Sequence, residues 1–173
     1  MKEIYIKDAV NLIGQEIDLY GWVETRRDHG KIIFIDLKDS TGTIQTVCGP
    51  WMGEGYALIE KVRSEWVLKL TGLVKVRPDN MKNEKIPLGN VEFEVKKVEI
   101  LNEANTHPFD VYGDGHDIGE EIRMGKKYLD LKRPRMRNNL KKRALTFKFI
   151  RDYLYSNDFL EIDTPYLTKS TPE

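Results

Sequence analysis

Cysteine is almost missing from this sequence: Cys48 is the only one in 173 residues. A lone cysteine excludes an intramolecular disulfide and any zinc site built from several cysteines, and it fits a reducing compartment. Long apolar runs are missing too, and no stretch approaches the roughly 20 residues that a membrane-spanning helix needs. The opening Met1-Lys2-Glu3-Ile4-Tyr5 lacks the apolar block of a secretion signal. Histidine is scarce, and none of His29, His107 and His116 stands one helical turn from another ligand type on an expected helix, so no metal site is expected. The glycine patterns that cradle phosphates are absent after every expected strand. No serine or cysteine comes with an identifiable base. These absences leave no complete active site in the visible sequence, and a soluble cytoplasmic protein is the expectation.

What is present is an ordinary core with an ionic surface: 40% of residues are apolar and 32% charged. The net charge is zero, but its distribution is uneven. Residues 102–122 hold six acids (Glu103, Asp110, Asp114, Asp117, Glu120, Glu121) and no Lys or Arg, whereas residues 123–151 hold twelve bases and one acid, Asp130, a local charge of +11. Such a block either attracts a polyanion such as nucleic acid or is a solvated helix face whose acidic partners lie elsewhere in a larger protein.

The first hundred residues read as β-rich. Glu16 to Val23 alternates, with Ile17, Leu19, Gly21 and Val23 on one side. Ile32 to Lys38 and Thr43 to Cys48 flank the turn signature Asp39-Ser40-Thr41-Gly42 and form a hairpin. Residues 55–65 carry Tyr56, Leu58, Ile59 and Val62 at helical spacing. Trp66 to Val76 is a fourth strand in which Gly72 marks a bulge or bend. The polar stretch Arg77 to Gly89 is a loop, and Val91 to Leu101 is a fifth strand. Three strands, a short helix and two more strands is the element order of an OB-fold, a five-stranded Greek-key barrel; another small barrel fits the pattern as well.

Residues 102–122 have no apolar period and read as a linker or hinge module. A helix is expected from Met136 to about Asn157, with Leu140, Ala144, Phe147, Ile150, Arg151 and Leu154 in one stripe. Asp158 to Asp163 then looks extended, before Thr164-Pro165. One helix and one strand cannot bury a core alone, so the final residues read as the start of a further domain. The expected division is 1–102 for the barrel, 103–135 for the hinge and 136–173 for that start.

Binding of single-stranded nucleic acid on the barrel is the best-supported chemistry. It needs positive charge along the backbone path, an aromatic ring to stack a base and polar groups to read base edges. Thr25-Arg26-Arg27-Asp28-His29-Gly30-Lys31 supplies charge at the mouth of a hairpin. On the second strand Ile33, Ile35 and Leu37 share the core face, which turns Phe34 and Asp36 outward. Gln45 lies across the next hairpin from Phe34, and Glu92 opens the fifth strand.

Three separated stretches carry a family resemblance. Gly21-Trp22-Val23-Glu24-Thr25-Arg26-Arg27-Asp28-His29-Gly30-Lys31-Ile32-Ile33-Phe34-Ile35-Asp36-Leu37 resembles the anticodon-binding OB domain of class IIb aminoacyl-tRNA synthetases. Lys127-Tyr128-Leu129-Asp130-Leu131-Lys132-Arg133-Pro134 resembles the signature that follows the hinge in the aspartyl-tRNA synthetase family. Phe159 to Glu173 resembles class II motif 1 and its continuation, in the form found in the bacterial type of that family.

The resemblance implies an OB barrel, a hinge, and the first helix and strand of a class II catalytic domain. Motifs 2 and 3, which carry the ATP-binding arginines, have no counterpart in this sequence, so a fragment that is inactive alone is expected. The parent would use ATP and Mg, with aspartate and tRNA as partners. By position, Phe34 matches the aromatic that stacks on the middle anticodon base, Gln45 the glutamine that bonds it, and Glu92 the glutamate that reads the third base. Arg26, Arg27 and Arg77 match basic positions near the anticodon backbone. Thr25 stands where a third arginine is common. His29 resembles the residue of enzymes that charge both tRNA-Asp and tRNA-Asn. Glu173 matches a glutamate that contacts the α-amino group of aspartate, and Pro165 the motif 1 proline at the boundary of a homodimer. A free-standing OB module that binds RNA or protein, and an asparaginyl or lysyl relative, are the competing readings.

Overall fold

The structure, a computed structural model, describes residues 4–83 and 87–167. It divides into two compact units, Met1–Thr106 and His107–Glu173. In the first, β1 (Glu16–His29), β2 (Ile32–Lys38), β3 (Thr43–Cys48), β4 (Val67–Val76) and β5 (Val91–Asn102) close into a barrel in the order β1-β2-β3-β5-β4. All pairings are antiparallel except β3 with β5, which run parallel at Thr46–Phe93 and Val47–Glu94. This is the expected OB architecture, and closure leaves no sheet edge open.

Strand alternation builds the core. Ile33, Ile35 and Leu37 from β2, Ile44 and Cys48 from β3, Leu68, Leu70 and Val74 from β4, and Val91, Phe93 and Val95 from β5 all point inward. Fully burying an aliphatic side chain of this size contributes roughly 1.5–3 kcal/mol. The buried Thr46 satisfies its hydroxyl by donating to the Ile35 carbonyl at 3.0 Å. Burial pushes the Cys48 thiol up to about 12, so it packs as a small inert group. Gly72 does mark an irregularity: the β4–β5 register shifts between Thr71 and Gly72, and a Cβ there would lie 2.2 Å from the Glu94 carbonyl oxygen.

Two short pieces complete the barrel. A 3-10 helix at Ile6–Leu12 lays Ile6 and Ala9 into the core. It is anchored by the β2–β3 turn, where Asp39 accepts from the Ile6 amide at 2.7 Å and from the Thr41 and Gly42 amides at 2.6 and 3.0 Å. Between β3 and β4, α1 (Glu54–Ile59) is shorter than its apolar spacing suggested. The chain leaves the helix after Ile59 in tight turns that still bury Val62.

In the second unit α2 (Glu120–Gly125) and α3 (Lys127–Asp130) lie within what the sequence presents as a hinge. Arg133, completely buried, organises it. Its guanidinium donates to Asp130 Oδ1 at 2.7 Å, the Gly113 carbonyl at 2.9 Å and the Asp110 carbonyl at 2.5 Å, and lies 5.6 Å from the centre of the Phe109 ring. α4 (Pro134–Tyr155) starts two residues before the expected Met136, because proline suits the first helical position. It ends in a turn through Asp158, whose φ is +63°. The extended stretch after it, which includes Pro165, pairs with no strand among the described residues and so takes no regular structure.

Candidate nucleic-acid interface

The barrel face around Phe34 is built by a break in the alternation of β1. Up to Val23 the odd residues face inward. The β1–β2 register then shifts between Val23 and Thr25, leaving Glu24 as an extra residue. A bulge of this kind re-aims the side chains that follow. Thr25 now pairs with Asp36, and Arg27 with Phe34, on the outward face. Arg26 is opposite Ile35 and takes the other face, where it pairs with Asp28 at 2.9 Å. The two neighbouring arginines therefore point to opposite sides. The β1–β2 turn is two residues long, and Gly30 supplies the left-handed φ of +62° at its first position.

Across the sheet these residues form two rows. One is Arg27–Phe34–Val47, and the next is Thr25–Asp36–Gln45. Phe34 is half-buried, outside the core, and the His29 ring meets it edge-on with centroids 5.6 Å apart and planes at 81°. Asp36 gathers its neighbours: Arg27 donates to Oδ1 at 2.9 Å and the Thr25 hydroxyl donates to Oδ2. The bulged Glu24 does the same beside it, accepting from Lys38 at 3.2 Å and from Thr43 at 3.1 Å.

A cavity of about 520 Å³ opens between this surface and the loop after β4, and its lining includes Arg27, Asp36, Gln45, Arg77 and Asn83. Arg77 is buried, with Nε donating to the Val91 carbonyl at 3.0 Å. Phe34, His29 and Glu92 do not line it: Phe34 stands across the strand pair from the lining residue Arg27, and Glu92 on β5 stands opposite Lys75. Burial raises the Glu92 carboxyl above its ordinary 4.5; Arg77 and Lys75 pull it down in part, and Glu94 adds to the rise. Pro165 belongs to the second unit, and Glu173 lies outside the described residues.

Sequence reasoning missed the carboxylate clamps at Glu24 and Asp36 and the presence of Asn83 in the cavity. The loss of alternation after Val23 was the signal for the bulge, and it is visible only once the register of β2 is known.

Comparison with known proteins gives this geometry a class. Residues 17–101 match the family described as an OB-fold nucleic acid binding domain, and residues 119–173 match the class II tRNA synthetases for D, K and N. The chain is thus a nucleic-acid-binding barrel followed by class II synthetase sequence. It is 46% identical to the aspartate–tRNA(Asp/Asn) ligase of Syntrophomonas wolfei over 95% of the chain and 28% of that protein. With the enzyme of the same name from Prochlorococcus marinus it shares 48% identity over 93% of the chain and 27% of the relative. The solved aspartyl tRNA synthetase of Entamoeba histolytica superposes with a TM-score of 0.78 over 98% of this chain and 41% of that one, at 18% identity, a likeness of fold. The chain belongs to the class II tRNA synthetases, in their aspartate–tRNA ligase branch, and corresponds to the N-terminal part of those relatives. It spans little more than a quarter of their length, 28% and 27% for the two named.

Proposed function

We propose that the outward face of β1, β2, β3 and β5 reads the anticodon loop of tRNA-Asp for an aspartate–tRNA ligase. The supporting observation is the placement of Phe34, Gln45 and Glu92 on one barrel surface beside Arg27 and Arg77. Phe34 stacks on the middle base and Gln45 hydrogen-bonds its edge. An ionised Glu92 accepts from the exocyclic amine of a cytosine at the third position and has no donor to offer a uracil. Arg27 and Arg77 meet the sugar-phosphate backbone, which makes affinity salt-dependent. Arg26, on the opposite strand face, acts at the rim. His29, edge-on to Phe34, bears on the choice between tRNA-Asp and tRNA-Asn, and both are named for the two relatives above.

The parent joins aspartate to AMP from ATP, releasing pyrophosphate, and passes the aspartyl group to the 3′ end of the tRNA. Glu173 would pair with the α-amino group of aspartate, and Pro165 would stand at a homodimer boundary. No group of His, Cys, Asp or Glu suited to a metal ion occurs among the described residues, so no step through Mg is assigned to them. The chain by itself should show no aspartate-dependent exchange between ATP and pyrophosphate. Its place is the cytoplasm, and among the described residues no helix is long and apolar enough to cross a membrane.

The test is a salt titration of binding to anticodon stem-loops with GUC and GUU anticodons, for the wild-type chain and for Phe34→Ala and Glu92→Gln. Tighter binding of GUC that weakens with salt and depends on Phe34 supports the reading. Equal binding of both loops, insensitive to Phe34, overturns it.

A further inference from the structure

Two carboxylates, Glu24 and Asp36, stand on a face that must receive a polyanion. A bare carboxylate there opposes phosphate, so its presence calls for a reason. Neither is bare. Asp36 lies in the middle strand of the surface, between Thr25 on β1 and Gln45 on β3. Both of its oxygens are engaged from β1, one by the Thr25 hydroxyl and the other by the Arg27 guanidinium at 2.9 Å. Its side chain is 20% exposed and that of Arg27 50%, so the acid is sunk in the surface while the cation is held at its edge.

We infer that Asp36 is a positioning residue for RNA binding, fixing the Arg27 guanidinium alongside Phe34 through the Thr25–Asp36–Arg27 clamp. This rests on the anticodon reading above. A free arginine has many rotamers and loses them on meeting a phosphate or a base; one already held by a carboxylate has less freedom left to lose. The bulge at Glu24 is what makes the clamp possible, because without the register shift Thr25 and Arg27 would face the other way. Thr25 has its own part. Its hydroxyl occupies the second carboxylate oxygen, so Arg27 has one oxygen to bind and one direction to point.

The consequence is opposite in sign to simple electrostatics. Removing a negative charge from an RNA-binding face should tighten binding; removing a clamp should weaken it. The test measures affinity of the 173-residue chain for a GUC anticodon stem-loop in Asp36→Ala, Arg27→Ala and the double variant, with Asp36→Asn as the gentler change and melting temperature recorded for each. Asp36→Ala should weaken binding about three- to tenfold, the scale of one immobilised long side chain. In the Arg27→Ala background the same change should have no further effect on affinity. Asp36→Asn, which keeps the shape and one acceptor, should fall between. Tighter binding by Asp36→Ala, or an equal loss with and without Arg27, overturns the inference. So does a loss that merely follows the melting temperature across the variants, since that is what a structural role would give. Phe34→Ala serves as the control for the underlying reading: if it leaves affinity unchanged, the anticodon reading itself fails, whereas a loss with Phe34→Ala and additive Asp36 and Arg27 effects removes the positioning role alone.

Discussion

The barrel and α4 treat large apolar side chains in opposite ways. In the barrel Leu19, Ile35, Leu37, Leu70 and Phe93 are fully buried. In α4 no residue is buried, and Phe147, Phe149, Ile150 and Tyr153 stand at 45–71% exposure. The barrel closes its own sheet and needs nothing else to satisfy its apolar surface. α4 leaves large apolar side chains exposed around the helix, and the relatives this chain matches are more than three times its length. Within the second unit, just before α4 in the sequence, the Arg133 cluster is stabilised by buried polar bonds instead of apolar area. One chain thus contains three ways of holding structure, and substitutions can tell them apart.

The largest effect is expected in the barrel. Phe93→Ala removes a fully buried ring and should destabilise the barrel by roughly 3–5 kcal/mol. Phe147→Ala, on an exposed face, should change the stability of the same chain far less. Hydrogen exchange of barrel amides and of α4 amides measures both, and comparable losses at the two positions would remove the contrast. Arg133→Ala should come next. It leaves the 5%-exposed Asp130 without its closest partner, a change that typically costs about 3–5 kcal/mol when the pair is buried. Arg123, 3.6 Å from Asp130 on its other side, softens that loss. Exchange should accelerate around Asp110, Gly113 and Asp130 while the barrel amides keep their protection. The effect of Phe34→Ala on anticodon stem-loop affinity should be smaller, roughly 1–3 kcal/mol, with barrel stability little changed because the ring lies outside the core.

Much of the barrel was legible from period-two alternation, since Ile33, Ile35 and Leu37 can face a core from one side only, and this sets Phe34 outward. The Asp39-Ser40-Thr41-Gly42 turn was legible because its side-chain bonds are local. What could not be read depends on partners distant in sequence. The bulge at Glu24 is a mismatch of length between β1 and β2, not a property of either strand. Alternation puts Arg26 and Arg27 on opposite faces in any register, but only the shifted register decides that Arg27 is the one turned outward. Arg133 sits in a basic run, and its burial follows from carbonyls at positions 110 and 113 that no spacing rule connects to it.

The smallest effect is the most telling for Glu92, because stability and function should move in opposite directions. Burial, the largest influence, raises its folded-state carboxyl above the ordinary value of 4.5. At a pH below both the folded and unfolded values the group is protonated in either state and contributes nothing of its charge. As pH rises through the unfolded value towards the folded one, the unfolded chain ionises first, so stability declines, and the penalty is constant above the folded value. Glu92→Gln removes a charge that the fold holds at a cost. It should therefore raise the melting temperature slightly at pH 7, make no difference well below pH 4, and lower the preference for C over U at the third anticodon base. A melting temperature that falls at pH 7 would mean that Arg77 and Lys75 outweigh burial, and that Glu92 supports the barrel through its charge.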